Sequence, residues 1–259
     1  MNKIIILLSI CIFSLPSLAK EINIDSNKQL EWYRDEQKIV AIGNAVATQE
    51  NTILKGDKIT AFYEKVQLED DSQKTQIQKI FSDGSVIITT PDTIGKGTHF
   101  EYNLPSKKAI LKGHPAELEN EQGTLTATDS ITYYGAENKS IALGNVIAKN
   151  ANYTIYAEKM ISYFDNDNNG NKKLKHIEIY AHNNPVKIVN QQATVTGRKG
   201  IYFPLENKLK LFENVVINQN GDILKGDYAE TDFKTGISSL RSSQNKGRVS
   251  GIFHNKKKK

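Results

Sequence analysis

GNAVATQENTILKGDKITAFY, residues 43–63, is the stretch on which the reading of this chain turns. It opens on Gly43-Asn44 and runs through a short apolar segment to a polar turn. It closes on Leu54-Lys55-Gly56-Asp57 and a second segment ending in aromatics. The same form recurs along the chain, and a repeat of this length decides the architecture before any single residue does. The copies anchor at Gly43, Asp83, Gly113, Gly144, Asn183 and Glu213, in steps of 40, 30, 31, 39 and 30 residues. Asn follows the anchor in four copies (Asn44, Asn145, Asn184 and Asn214), and three residues past each anchor sit Val46, Val86, Ala116, Ile147, Val186 and Val216. A small residue comes 13 to 15 positions past each anchor: Gly56, Gly97, Thr128, Ala157, Gly197 and Gly226. Asp57, Asp129, Glu158 and Asp227 follow four of these. Gly43 to Gly144 spans 101 residues, and Asp83 to Asn183 and Gly113 to Glu213 span 100 each, so a block of three units occurs twice. Ile24 to Trp32 is a half unit in front of them.

Each half unit is short and rich in Val, Ile, Thr, Tyr and Phe, and Gly, Asn and Asp bound it. That composition reads as β-strands. No run reaches the length of an amphipathic helix. About two strands per unit gives roughly 13 to 16 in all. Val86 with Ile88, and Val186 with Ile188, share a face. Leu54 and Gly56 share a face that Ile59 leaves, so the side-chain phase slips beside the small residue. Such a slip marks a bulge or sharp bend. A two-strand unit buries its apolar face only by stacking on its neighbours. The expected fold class is therefore all-β: an elongated, open sheet or roll built from stacked antiparallel hairpins.

Residues 1–19 read as a cleavable signal peptide. Lys3 supplies the positive start, Ile4 to Leu15 the apolar core, and Ser17-Leu18-Ala19 the cleavage site after Ala19. The apolar run is short for a membrane span. Cys11 is the single cysteine of the 259 residues, so the mature part has no disulfide to form in the oxidising compartment the leader implies. Residues 20–253 read as one continuous domain, since no Pro-rich or Ser/Gly-rich linker divides them. Residues 254–259 are a basic tail, either a solvated terminus or a contact for an acidic surface. Two insertions, Lys65 to Lys79 and Asp165 to His176, occupy the same place in each three-unit block and read as long exposed hairpin loops. Asp165, Asp167, Asn169 and Gly170 match the start of a calcium loop, but His176 stands where the bidentate Glu belongs. A polar turn is the expectation there, with no metal.

No catalytic constellation emerges. His99, His114, His176, His182 and His254 are far apart and show no zinc-type spacing. Gly95-Lys96-Gly97 lacks the rest of a dinucleotide loop, and no nucleophile elbow is present. The recurring acids beside the small residues read as turn or edge hydrogen-bonding groups. His182 near Asn183-Asn184-Pro185 is a surface-turn histidine before it is a ligand or base. The net charge of +5 is mild and the aromatics follow strand phase, so nucleic acid is not an expected partner. No cofactor is expected, and the protein is not read as an enzyme.

Gly-Asn followed by Leu-x-(Gly/Ala)-Asp, repeated at about thirty residues after a leader, resembles the OstA-like domain of the LptA family. Gly43-Asn44 with Leu54-Lys55-Gly56-Asp57, Gly144-Asn145 with Ile155-Tyr156-Ala157-Glu158, and Asn214-Val215 with Leu224-Lys225-Gly226-Asp227 carry the resemblance best. Gly113-His114-Pro115-Ala116 and Asn184-Pro185-Val186 look like its alternate units, and Gly247 to Phe253 like its closing strand. The resemblance covers nearly all of the chain after the leader. It implies an open, slightly twisted β-jellyroll (OstA-like) in the periplasm, with an apolar groove for the acyl chains of lipopolysaccharide. It also implies end-to-end assembly of the chain with itself, and joining to an LptC-like inner-membrane protein and an LptD-like outer-membrane protein. The two insertions and the lysine tail depart from the family pattern.

Val46, Ile59, Val86, Ile88, Phe100, Leu118, Ile131, Ile147, Met160, Val186, Ile188 and Val216 are the candidate groove residues, with ordinary sheet core as the alternative role. Ile24, Leu30 and Trp32 at one end, and Val215 and Ile217 at the other, are the candidate edge contacts for strand addition between copies. Two rival readings stay open at this point. One is a parallel β-helix enzyme acting on polysaccharide, which needs a single cluster of acids or basic residues on one face. The other is a structural envelope protein without lipid cargo.

Overall fold

The repeat appears as a line of antiparallel ladders. The computed structural model describes residues 21–67, 73–166, 172–235, 237–242 and 248–253. The leader, most of the Asp165–Gly170 loop and the basic tail lie outside the described residues. The described residues group into two compact units, 21–121 with 126–141, and 142–253 with 122–125.

The first unit is built on β1 (Asn23–Asp25), β2 (Gln29–Tyr33), β3 (Lys38–Gln49), β4 (Thr52–Gln67), β5 (Gln73–Thr89), β6 (Ile94–Asn103), β7 (Lys108–Lys112), β8 (Ala116–Asn120), β9 (Gly123–Ala127) and β10 (Ser130–Tyr134). The second is built on β11 (Lys139–Lys149), β12 (Thr154–Asn166), β13 (Lys172–Tyr180), β14 (Val186–Val189), β15 (Ala193–Gly197), β16 (Lys199–Phe203), β17 (Lys208–Gln219), β18 (Asp222–Asp232), β19 (Ile237–Arg241) and β20 (Ser250–Ile252). β9 and β11 cross the boundary between the units. The described pairings are antiparallel, and the described residues hold one 3-10 turn, Gly135–Glu137, and no α-helix. The fold is an all-β antiparallel jellyroll.

One backbone device repeats. In β3, Gly43 and Asn44 both have left-handed backbone, φ 86° and 44°. Ile42 faces Lys58 and Ala45 faces Gly56, so two residues on β3 oppose Asp57 alone. Gly84-Ser85 in β5 sits between the pairs Asp83–His99 and Val86–Gly97. Glu213-Asn214 in β17 sits between Phe212–Tyr228 and Val215–Gly226. Gly144-Asn145 in β11 has the same left-handed pair, φ 81° and 39°. Two residues against one is a β-bulge, and it bends the strand and increases its twist. The corner thus falls beside the small residue at Gly56, Gly97 and Gly226. In the second copy it starts at Gly84, so anchoring that copy on Asp83 is off by one residue.

The phase slip in β4 follows from this corner. Leu54 and Gly56 are buried before it, and Ile59, Ala61 and Tyr63 after it. Gly56 allows the close approach: a Cβ there would lie 2.1 Å from Oγ of Ser82, a fully buried serine whose hydroxyl donates to the Lys55 carbonyl at 3.3 Å. Asp57, one of the recurring acids, sets its carboxylate over Gly84, 2.1 Å from where a Cβ would stand.

Twenty strands are described, more than the 13 to 16 expected. Part of the excess has a local cause. Where the corner is a bulge, as in β3, β5, β11 and β17, one strand runs through it. Where Pro115 or Pro185 sits at the corner, the missing N–H interrupts the ladder. β7 and β8, and likewise β13 and β14, are therefore separate strands. The insertions also differ from simple loops. β4 and β5 stay paired out to Gln67–Gln73, and β12 and β13 out to Asn166–Lys172. Each hairpin is a lengthened ladder with a register shift at its base, at Phe62/Tyr63 and at Tyr163/Phe164.

Candidate functional site

Folding a strand over a bulge brings its two halves to face one another. In the first unit, Ile80 and Ile88 lie on either side of the β5 bulge and line the same cavity, of about 40 Å³. Leu54 of β4 and Phe100, Tyr102 and the following Leu104 of the β6 end complete its apolar wall, with Ile22 and Ala47. In the second unit, Leu211 and Ile217 lie on either side of the β17 bulge and line a cavity of about 160 Å³. Tyr153, Ile188, Val195, Leu209, Ala229 and Phe233 share its wall, and Asn190, Gln192, Gln219, Thr231 and Ser238 give it a polar rim. An apolar cavity of about 150 Å³ is large enough to take up a benzene-sized guest.

The predicted groove residues fall into four sets. Ile88 and Phe100 line the first cavity, and Ile188 the second. Met160 lines a smaller pocket beside Tyr153, Ile155 and Ile177. Ile59, Val86, Leu118, Ile131 and Val186 are buried on inward faces without lining either cavity. Val46 and Val216 are half-buried and Ile147 is 38% exposed, while their neighbours Ala45, Val215 and Val146 are buried. The bulge uses two residues, so the inward position is the second residue after its first member. Sequence reasoning missed Leu54, Ile80, Tyr102 and Leu104 in the first cavity and Leu209, Leu211 and Ala229 in the second. The alternation of Leu209 and Leu211 with lysines is the signal that would have found the latter pair.

Of the predicted edge residues, Ile24 pairs with Ala47 in β1, which adds to β3. Leu30 and Trp32 are 58% and 59% exposed in β2, and the Trp32 indole N–H donates to the Tyr63 hydroxyl at 2.7 Å. Val215 and Ile217 lie in β17, between β15 on one side and β18 on the other. They are interior positions of the ladder; β19 and β20 follow on the far side of β18.

The outer face of the second unit is rich in aromatics and cations. One cross-strand row reads Lys159, Tyr180, Lys199, Phe212, Tyr228, Arg241, each paired with the next. The Tyr180 hydroxyl donates to Glu178 at 2.5 Å, and that bond, with burial, pushes its pKa up to about 12. Burial first, and then the bond to Glu230, pushes Tyr228 up to about 12. Further along the face, Tyr163 stacks on His176 at 4.5 Å and His176 on Phe203 at 5.9 Å. Burial in that stack lowers the His176 pKa. Among the described residues no three His, Cys, Asp or Glu side chains converge as a metal site.

The class the structure defines is a bulged antiparallel jellyroll with apolar space between its folded-over strands. The chain matches the family model described as LptA/(LptD N-terminal domain) LPS transport protein over residues 23–139 and 126–237, and it belongs to that family. No curated protein matches it. Among solved structures it is similar to LptH of Pseudomonas aeruginosa, described as the LptA homologous periplasmic component of the conserved lipopolysaccharide transport device. The identity is 12%, over 92% of this chain and 98% of that one, with a TM-score of 0.23.

Proposed function

We propose that this chain is a periplasmic carrier that shelters the acyl chains of lipopolysaccharide between its folded-over strands as they cross water. The observation that carries the reading is the placement of apolar residues from both sides of one bulge around a single cavity, Ile80 with Ile88 and Leu211 with Ile217, in a member of an LPS-transport family. Exposing a methylene to water costs roughly 0.8 kcal/mol, so about ten of them cost about 8 kcal/mol. A wall of Leu, Ile, Val and Phe removes most of that cost. The tails come from a bilayer where they were already buried, so net affinity for the carrier is low, which suits passage. No bond is made or broken in this role, and the driving force comes from elsewhere.

The reading includes export by residues 1–19 with cleavage after Ala19. It includes an LptC-like partner toward the inner membrane, an LptD-like partner toward the outer one, and copies of the chain joined end to end. The exposed Leu30 and Trp32 of β2 at one end, and β19 and β20 at the other, are the surfaces for strand addition. The lining proposed is the inward set: Ile59, Val86, Ile88, Phe100, Leu118, Ile131, Met160, Val186 and Ile188. Ile188→Asp, on the wall of the second cavity, tests it. The expected result is loss of lipopolysaccharide retention with a β-type circular dichroism spectrum intact. Retention at the wild-type level by a folded variant would contradict it.

A further inference from the structure

The face of the second unit that turns away from its cavity has features that the sheltering of acyl chains leaves unused. Lys159, Tyr180, Lys199, Tyr228 and Arg241 stand in one cross-strand row. Buried neighbours such as Met160, Ile179 and Ala229 alternate with them, so the row lies on the other side of the sheet from the cavity wall. The cations lie over rings: Lys159 and Lys199 reach the two sides of the Tyr180 row position, 5.8 and 5.0 Å from its ring centroid, and Arg241 lies 5.9 Å from that of Tyr228. Lys210, two residues before Phe212 and so on the same face of β17, lies 5.4 Å from the ring centroid of Phe203. The nearby acids are shared with the row: Glu178 accepts from the Tyr180 hydroxyl and also lies 3.9 Å from the Lys199 Nζ, and Glu230 accepts from the Tyr228 hydroxyl, which leaves Lys159, Lys210 and Arg241 as the less engaged cations of this face. A cation held over a ring keeps its charge and much of its donor capacity for an incoming anion.

The position of the row gives that anion an origin. β18 and β19 carry Thr231 and Ser238 at the polar rim of the cavity. The outward Tyr228 and Arg241 are on these same two strands. A guest with its tail in the cavity and its head lapped over β19 would set that head on the row. The matching row of the first unit, Lys58, Asp83, His99, Lys112, lacks this character: Asp83 pairs with His99 at 2.6 Å, and no Phe, Tyr or Trp stands in it.

Resting on the carrier reading above, we propose that the outward row of the second unit binds the phosphate-bearing saccharide head of the same glycolipid. The lysines and Arg241 would meet phosphate and the row's aromatics would pack on sugar rings. The probe is the acyl-free phosphorylated oligosaccharide released from lipopolysaccharide, titrated calorimetrically into the full chain. A dephosphorylated sample runs alongside. The expected result is salt-sensitive binding that weakens about tenfold or more in a Lys159→Glu, Lys199→Glu, Lys210→Glu variant and on dephosphorylation, and about twofold or less in Lys58→Glu, Lys112→Glu. Arg241→Gln, on the exposed strand β19, is the milder variant should the triple one misfold, and it too should weaken binding. Equal binding by all variants, equal binding of the dephosphorylated probe, or no binding at millimolar probe would overturn the proposal. An acyl-chain photocrosslink at Ile188 is read separately, so loss of the head site and loss of the tail site give different patterns.

Discussion

The two units are the same three-repeat block written twice, yet they enclose different spaces. Phe100 and Gly200 are 100 residues apart in sequence and take the same place, each paired with the corresponding leucine, Leu111 or Leu211. The first unit fills that place with a phenylalanine ring on the wall of its cavity of about 40 Å³; the second leaves it to glycine, and its cavity of about 160 Å³ is walled elsewhere, by Leu209, Leu211 and Ala229 among others. Ser82 and Ile179, their partners on the other side, differ in the opposite sense and recover part of the volume. The bulges set the frame in both units, and the side chains on the frame set how much space each one keeps.

The largest effect expected from that comparison is at Phe100. Phe100→Ala should cost about 3–5 kcal/mol of stability, as for a buried phenylalanine, and enlarge the first cavity toward the second. Denaturant unfolding measures the loss; a loss under about 1 kcal/mol would mean the first unit does not depend on that ring. Next come the paired glycines. A Cβ at Gly97 would stand 2.4 Å from the Lys112 carbonyl oxygen and 2.8 Å from Leu111 Cδ1, whereas at Gly197 the nearest atom is 3.3 Å away. Gly97→Ala should cost about 1–3 kcal/mol and Gly197→Ala less than about 1 kcal/mol, read from the same unfolding curves. Equal costs would break the claim that the first unit is the more tightly closed.

Glu213 offers a gain. It stands at φ 62°, where the other bulges place Gly43 at φ 86° and Gly144 at φ 81°. Glu213→Gly should raise stability by about 1 kcal/mol, since a left-handed backbone costs a residue with a Cβ about 1–2 kcal/mol. A lower melting temperature in that variant would contradict the shared role of the bulges. The smallest effect is at His176. Burial lowers its pKa in the folded protein, so the unfolded chain binds the proton more readily. Stability from this group is complete above the ordinary histidine range and falls as pH drops through it. His176→Phe should flatten the melting profile between about pH 7.5 and pH 5. An unchanged profile would show that the stack is insensitive to charge.

Much of this was legible in the residues. The Gly-Asn pairs and the small residue thirteen to fifteen positions on fixed the bend, the all-β class and the family resemblance. Two things were not legible. A bulge of two residues keeps the face along its own strand, where Ala41 and Ala45 both look in, and shifts it on the partner, between Gly56 and Ile59, so the residue three past the anchor, Val46, Ile147 or Val216, looks outward or sideways while Ala45, Val146 and Val215 look in. And Val215 and Ile217 read as an end strand although β18, β19 and β20 pair beyond them, because the closing strands are short and weakly patterned. Pattern within a strand is local, but which strand is last depends on pairing between distant segments.

Site-specific photocrosslinking decides the central claim. With a benzophenone side chain at Ile88 or Ile188, inside, and at Ile87, on the outer face of the first unit, cells making lipopolysaccharide are irradiated and the adducts probed for it. The predicted result is adducts at Ile88 and Ile188 and none at Ile87. Adducts at Ile87 alone, or none at Ile188 in folded protein, would contradict it.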